Sequence, residues 1–449
     1  MAAPTPSRTT LPPSPTRRIL LVDADAFFVA VARLVDPEGA GKARLLIVGG
    51  APGSRGVVCS ASYETRQYGV RSAMPIARAL RLCPQATCVP VPRGACGRKS
   101  REISAVLHRF APVVQAASID EWYLDVSGTE ALYHDAPLAE VAHRIRDAVR
   151  EETGLSVSLG GGTNKLVAKL AVEFAKPKPG TAGNGVFIVP PGGEANFLLQ
   201  VPLADIPGVG PRLRDRLEAL GLRSTPDVLA VGLPTLQRML GERGGHWLFD
   251  RARGIGSSEV IPREQAKSVS HEDTFHHDLN DDDALEVELV RLVTRVASDL
   301  RSKGLAARTI SVKLKDADFR TRGASRTLEE PVVADRVILA TARELLQRLR
   351  GARRTPARLL GVALSGLGEG EEAEQLSLFG EESAPALRET ARDRALATAI
   401  DALRAKFGAG AIVPGRLAMR EGEPEAPSAS PAAGARPRGP APGARRSGR

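Results

Sequence analysis

Two acidic stretches, almost a hundred residues apart, hold the groups best suited to chemistry. One is Val22-Asp23-Ala24-Asp25-Ala26-Phe27-Phe28; the other is Ser118-Ile119-Asp120-Glu121-Trp122-Tyr123-Leu124-Asp125. Each sets carboxylates beside apolar, strand-forming residues. Alternation along a strand puts Asp23 and Asp25 on one side. A lone Asp-x-Asp is common where a strand runs into a loop, so neither stretch alone carries a metal assignment. The pair carries more. Several carboxylates buried among apolar residues need cations to offset them. Mg²⁺ is the natural choice, a hard, oxygen-seeking ion usually shared with substrate phosphates. Two such ions lower the pKa of an attacking hydroxyl and stabilise a leaving oxygen during in-line displacement.

A folded frame must hold these groups. Residues 19–22 read as a buried strand with Asp23 and Asp25 at its end. Further strands are expected at 45–48, 56–59, 123–126 and 155–159, and helices at 75–82, 100–110, 138–153 and 165–175. Lys176-Pro177-Lys178-Pro179-Gly180 stops the last of these. The βαββαβ order predicts an α+β class with a split βαβ sheet and helices on one face. A helical stretch follows over 195–252, then a linker at 254–265 and a second α+β unit over 267–367. An acidic segment, 369–382, leads to a helix near 387–407, where Leu396, Ile400, Leu403 and Phe407 share a face.

The chain has 449 residues, enough for about three domains. Its apolar runs are too short to cross a membrane, which takes about 20 residues. The N-terminal lead has no apolar segment of the kind a secretory signal needs. Net charge is +10, but five arginines beyond Pro431 and three within the first 18 residues supply most of it. Without these eight cations the remainder carries +2, so a nucleic-acid argument must rest on local patches. Cys59, Cys83, Cys88 and Cys96 form no CxxC pair, and adding His108 gives no common zinc spacing. Gly39-Ala40-Gly41-Lys42 lacks the first glycine and the hydroxyl residue of a phosphate loop.

Four blocks in order carry a family resemblance: Asp23–Phe28, Tyr63-Glu64-Thr65-Arg66, Ser118–Glu121, and Asn164-Lys165 through Ala168-Lys169. They resemble the signature blocks of Y-family translesion DNA polymerases, in the bacterial DNA polymerase IV branch, over about 19–367. The resemblance implies a polymerase palm, small fingers, a helical thumb with a helix-hairpin-helix, and an α+β little finger. Its expected boundaries are a disordered lead at 1–16, palm at 17–26 and 92–176, fingers at 27–91 and thumb at 177–253. A linker at 254–266 leads to a little finger at 267–367. An acidic linker, clamp-binding peptide and helix fill 368–420, and a disordered basic tail 421–449.

By the same resemblance, Asp23, Asp120 and Glu121 hold two Mg²⁺ ions, with the Ala24 carbonyl completing one shell. Asp25 matches a motif position without being a direct ligand. A primer 3′-hydroxyl would attack the α-phosphorus of a dNTP and release pyrophosphate. Tyr63, Arg66 and Lys169 match triphosphate contacts, with Phe27 beside the nucleotide. Arg offers a planar fork and Lys a point charge. Phe28 matches the steric gate against a ribose 2′-hydroxyl, and Gly69–Pro75 a fingers block, with Cys59 near the nascent base pair. The plainer alternatives are a surface pair for Tyr63 and Arg66, and core packing for Phe28 and Phe27. Three features depart from the family: Ala32 stands where Glu is usual, Trp122 follows the catalytic pair, and Gly160-Gly161-Gly162-Thr163 is unusually glycine-rich, which predicts a mobile loop before Lys169.

Ile206-Pro207-Gly208-Val209-Gly210 resembles a helix-hairpin-helix turn, whose backbone N–H groups and Arg212 could bind a DNA phosphate. Residues 301–326 carry eight basic side chains. Within them Ile310, Val312 and Leu314 alternate with Ser311, Lys313 and Lys315, a strand with one apolar and one basic face. Lys313 and Lys315 are the expected DNA contacts. Gln375-Leu376-Ser377-Leu378-Phe379 resembles a sliding-clamp peptide, with Gln375, Leu376, Leu378 and Phe379 as anchors. The expectation is a cytoplasmic, monomeric, low-fidelity polymerase using primer–template DNA, dNTPs and a sliding clamp. A non-catalytic clamp-bound accessory protein and a structural DNA-binding protein are the rivals.

Overall fold

A computed structural model describes residues 16–177, 184–262, 265–369, 388–408 and 410–418. All but the last residue of the expected lead, the whole basic tail, and Gln375 to Phe379 lie outside the described residues. The chain divides into two compact units between Gln265 and Ala266.

The first unit contains β1 (Ile19–Ala24), β2 (Leu46–Gly49), β3 (Val58–Ala61), β4 (Thr87–Val89), β5 (Val113–Ala116), β6 (Glu121–Asp125), β7 (Val157–Gly162) and β8 (Val186–Ile188). Five of them form a sheet in the order β5-β6-β1-β7-β8, and β3-β2-β4 form a smaller one. β1 is antiparallel to both its neighbours, and β7 is parallel to β8.

The α+β class holds, with one correction. β1 is apolar on both faces, so both need cover. Leu20 and Val22 face the helices Arg93–Phe110 and Leu138–Thr153, packing with Ile103, Leu107, Val141 and Ile145. Ile19 and Leu21 meet Ala168 and Val172 of the helix Lys165–Ala175. That third helix therefore lies on the opposite face, where sequence order had put all helices together.

The glycine run is also not a loop. Gly160, Gly161 and Gly162 are the buried end of β7. A Cβ at Gly160 would stand 2.2 Å from the Val172 nitrogen and 2.3 Å from the Ala168 oxygen. The glycines let the Lys165–Ala175 helix press against the strand. Beyond β8, short helices including Pro211–Ala219, Thr225–Val231, Leu233–Leu240 and Glu242–Ala252 share a core of Leu217, Val228, Leu236 and Leu248.

The second unit contains β9 (Ser268–Leu279), β10 (Leu305–Asp316), β11 (Thr321–Val332) and β12 (Ala357–Glu369), an antiparallel sheet in the order β11-β10-β12-β9. The helices Asp282–Ser302 and Asp335–Ala352 cover one face, burying Ile310, Val312 and Leu314 as the alternation predicts. The helix Ala391–Phe407 opens with a Thr390–Asp393 capping box. It docks through polar groups: Arg301 reaches Asp401 at 2.6 Å, and Arg336 reaches Asp393 at 2.8 Å. The apolar face expected on this helix is not what packs, since Leu396 is 58% and Phe407 64% exposed.

Candidate active site

Strand pairing brings the two acidic stretches together. In the β1–β6 register Asp23 lies opposite Glu121. The Ala24 N–H donates to the Asp120 carbonyl at 2.9 Å, tying the end of β1 to the approach of β6. The four groups expected to hold metal thus sit on neighbouring backbone.

Their side chains are turned to groups of the protein. Glu121 takes both its oxygens to Lys169 Nζ, at 2.8 and 2.7 Å. Asp23 accepts from Lys176 Nζ at 2.9 Å, and Asp120 accepts from the Ser118 hydroxyl. Asp23 is buried, and that burial raises its pKa to about 7; Lys176 opposes the shift and the Glu121 charge adds to it. Burial works to lower the Lys176 pKa, but Asp23 and Glu173 outweigh it and hold the ammonium charged.

Asp25 follows the end of β1 and accepts from the Ser158 hydroxyl of β7 at 2.7 Å. Burial pushes its pKa up, with Ser158 opposing. Ala26 then adopts a left-handed backbone (φ 46°) and opens the helix Phe27–Val35. A non-glycine residue there is uncommon, and such strain clusters at functional sites. The turn sends the two phenylalanine rings different ways. Phe27 is only 2% exposed and belongs to the core, so its ring is not a nucleotide contact. What it can offer is a backbone N–H in the helix's first turn. Phe28 is half-buried, packed edge-on against Phe27 with centroids 5.5 Å apart.

Tyr63 and Arg66 share the helix Tyr63–Arg66, capped by Ser62. The Arg66 guanidinium stands 5.1 Å from the Tyr63 ring centroid, and its Nε donates to the Ala61 carbonyl at 2.9 Å. Burial first, and then the Asp25 charge, push the Tyr63 hydroxyl up to about 12, with Asp23 adding to the rise. Tyr63 therefore stands within electrostatic reach of the carboxylates and is not an isolated surface pair with Arg66. In the Asn164–Lys169 block, Asn164 caps its helix by accepting from the Val167 N–H at 3.0 Å. Lys165 donates to Gln115 at 2.8 Å, and Lys169 faces Glu121.

Sequence reasoning missed Lys176, Ser158 and Ser118. Lys176 was read only as part of a helix stop, yet it lies seven residues from Lys169. That spacing is two helical turns, so both ammonium groups point to one side. Ala32 is buried among Val29, Ala40, Leu46 and Val48, where a Glu would need a partner. Trp122 fills the core behind the site.

The donor set suits a hard divalent ion, since every candidate ligand is oxygen and buried Asp23 is incompletely offset by its lysine. Among the described residues, no three His, Cys, Asp or Glu side chains are already gathered as a metal cage.

Elsewhere, Gly208 has φ 102°, and a Cβ there would lie 2.5 Å from the Trp247 ring. Gly210 caps the helix that begins at Pro211, and Arg212 beside it is exposed. In the second unit Lys313 pairs with Glu272 at 2.7 Å, while Lys315 lies over the Phe319 ring. No described helix is long and apolar enough to cross a membrane.

The fold defines a class. A Y-family DNA polymerase chimera of Dbh and Dpo4 superposes with a TM-score of 0.69 at 26% identity, over 78% of this chain and 98% of that one. DinB from Sulfolobus solfataricus matches with a TM-score of 0.53 at 26% identity and the same coverage. The impB/mucB/samB family model matches residues 22–173, its C-terminal domain 266–378, and the DNA polymerase-iota thumb domain 204–256. DNA polymerase IV of Halorhodospira halophila is 40% identical over 351 residues, 78% of this chain and 95% of that protein. DNA polymerase IV of Xanthomonas campestris pv. campestris is 40% identical over 367 residues, 81% and 99%. The chain belongs to the impB/mucB/samB family of Y-family DNA polymerases.

Proposed function

We propose that this chain is a low-fidelity, template-directed DNA polymerase that inserts dNTPs opposite damaged template bases. The observation that supports this most is the juxtaposition of Asp23 with Glu121 and of Ala24 with Asp120, with Lys169 paired to Glu121. Asp23, Asp120, Glu121 and the Ala24 carbonyl would hold two Mg²⁺ ions. When bound, such ions acidify the primer 3′-hydroxyl and neutralise charge on the leaving pyrophosphate. The chain's own part is positioning.

Arg66 and Tyr63 fit the triphosphate as a fork and a hydroxyl. Lys169 is a point charge able to exchange Glu121 for a phosphate oxygen. The Phe27 N–H lies in a helix first turn that favours anions. Phe28, braced by Phe27, suits a rigid gate under the sugar. Gly208, Gly210 and Arg212 offer backbone donors and a charge to a DNA phosphate, and Lys313 and Lys315 offer charge along the β10 sheet face. Gln375, Leu376, Leu378 and Phe379 are proposed to dock a sliding clamp, and the working form is proposed to be a cytoplasmic monomer.

The experiment is primer extension with Mg²⁺ and dNTPs across a set of damaged templates, against the undamaged control. Lesion-crossing products support the reading. DNA binding without any dNTP-dependent product would replace it with a structural DNA-binding protein.

A further inference from the structure

The turn joining β10 to β11 carries an exposed phenylalanine that no core explains. Phe319 is 61% exposed. Its backbone is left-handed (φ 67°), a conformation costly for a bulky side chain. The turn is nonetheless heavily braced. The Phe319 N–H donates to the Asp316 carbonyl at 2.9 Å, and the Ala317 N–H to the Pro356 carbonyl at 2.9 Å. Buried Asp316 takes Arg322 at 2.8 Å and Arg353 at 2.7 Å. Asp318 takes Arg353 at 2.8 Å. Both carboxylates of the turn are therefore already matched by arginine.

Two other cations lie over the ring: the Arg358 guanidinium at 4.7 Å from its centroid and the Lys315 ammonium at 5.5 Å. No carboxylate among the described residues is paired with either. A strained, braced and exposed aromatic ring with unmatched cations is the composition of a platform for single-stranded nucleic acid. The ring supplies a stacking face and the cations supply phosphate contacts. Base stacking outweighs an exposed cation–π contact, so an arriving base can displace the Lys315 ammonium, leaving it free for the adjoining phosphate. A docked apolar protein segment is disfavoured, because the surroundings of the ring are cationic.

We infer that Phe319, with Lys315 and Arg358, forms a stacking site for an unpaired nucleobase of single-stranded DNA. This rests on the polymerase reading for the presence of DNA, and it adds a site separate from the reacting centre.

The test is equilibrium binding of the full chain, by fluorescence anisotropy and without dNTPs, to a single-stranded oligonucleotide and to a blunt duplex of equal length. F319A is expected to weaken single-strand binding by about fivefold or more, with duplex binding unchanged. F319Y is expected to restore it. F319G, which suits the left-handed backbone, should give the same loss as F319A with no loss of thermal stability. Equal losses on both DNAs, or no loss on the single strand, would overturn the site. Because no turnover is measured, a negative result leaves the polymerase reading standing. Conversely, an inactive polymerase site leaves this measurement readable.

Discussion

Lys169 and Lys176 each hold one of the carboxylates expected to bind metal, Glu121 and Asp23. They are not equivalent. Lys169 is the more exposed and is the one proposed to exchange its partner for phosphate, whereas Lys176 is more buried and also pairs with Glu173. Lys169→Ala should therefore act on nucleotide use, lowering kcat/KM for dNTP by about tenfold, mostly through KM. Steady-state kinetics on an undamaged template checks this, and a pure kcat loss would point to a role at Glu121 instead. Phe28→Ala should lower discrimination against ribonucleotides by about tenfold or more, read by competing rNTP and dNTP in primer extension. Unchanged sugar selectivity would return Phe28 to core packing. The linear blocks around Asp23, Tyr63, Asp120 and Lys169 were legible because each is a short local pattern. Lys176, Ser158 and Ser118 were not, because their roles depend on which strand end faces which helix. Which of the two rings turns into the core was not legible, because the left-handed Ala26 that sends them apart has no signature in its residue type.

The elements that frame the site depend on close approach. Gly160 sits where backbone meets backbone, so a methyl group there cannot be absorbed by a side-chain shift. Gly160→Ala should destabilise the first unit by about 1–3 kcal/mol or more, measured by urea unfolding. A neutral result would mean that the Lys165–Ala175 helix moves freely on β7. The sequence suggested a mobile loop here because glycine composition alone cannot separate flexibility from packing. The reverse happened in the C-terminal helix, where an apolar periodicity suggested a buried face and ion pairs make the contact instead.

That docking has a pH signature. The Arg336 hydrogen bond first, and then Thr390, hold the Asp393 carboxyl well below its usual range. Its contribution is therefore complete above about pH 4 and is lost as pH falls below that through the folded value. Asp393→Asn should lower thermal stability at pH 7 and by clearly less at about pH 2, the gap narrowing steadily as pH falls below about 4. Equal differences at both values would show that charge at Asp393 is not involved.

Over the whole molecule, the class of fold and the reaction were readable from sequence. The reason is that chemically constrained blocks recur in a fixed order within an otherwise ordinary composition. The net charge was a poor guide, since the tails supply most of it. Deleting Gln375 to Phe379 should reduce clamp-stimulated synthesis severalfold and spare basal synthesis, and equal loss of both would indicate misfolding. The most direct test of the central claim is single-turnover primer extension by Asp120→Asn, with DNA and dNTP binding measured on the same preparation. Asp120 is half-buried, and among the described residues its side chain is hydrogen-bonded to Ser118 alone, so the substitution should leave the fold intact. The account predicts a loss of at least about a thousandfold in the rate of nucleotide addition with both substrates still bound. A rate within about tenfold of the parent would contradict it.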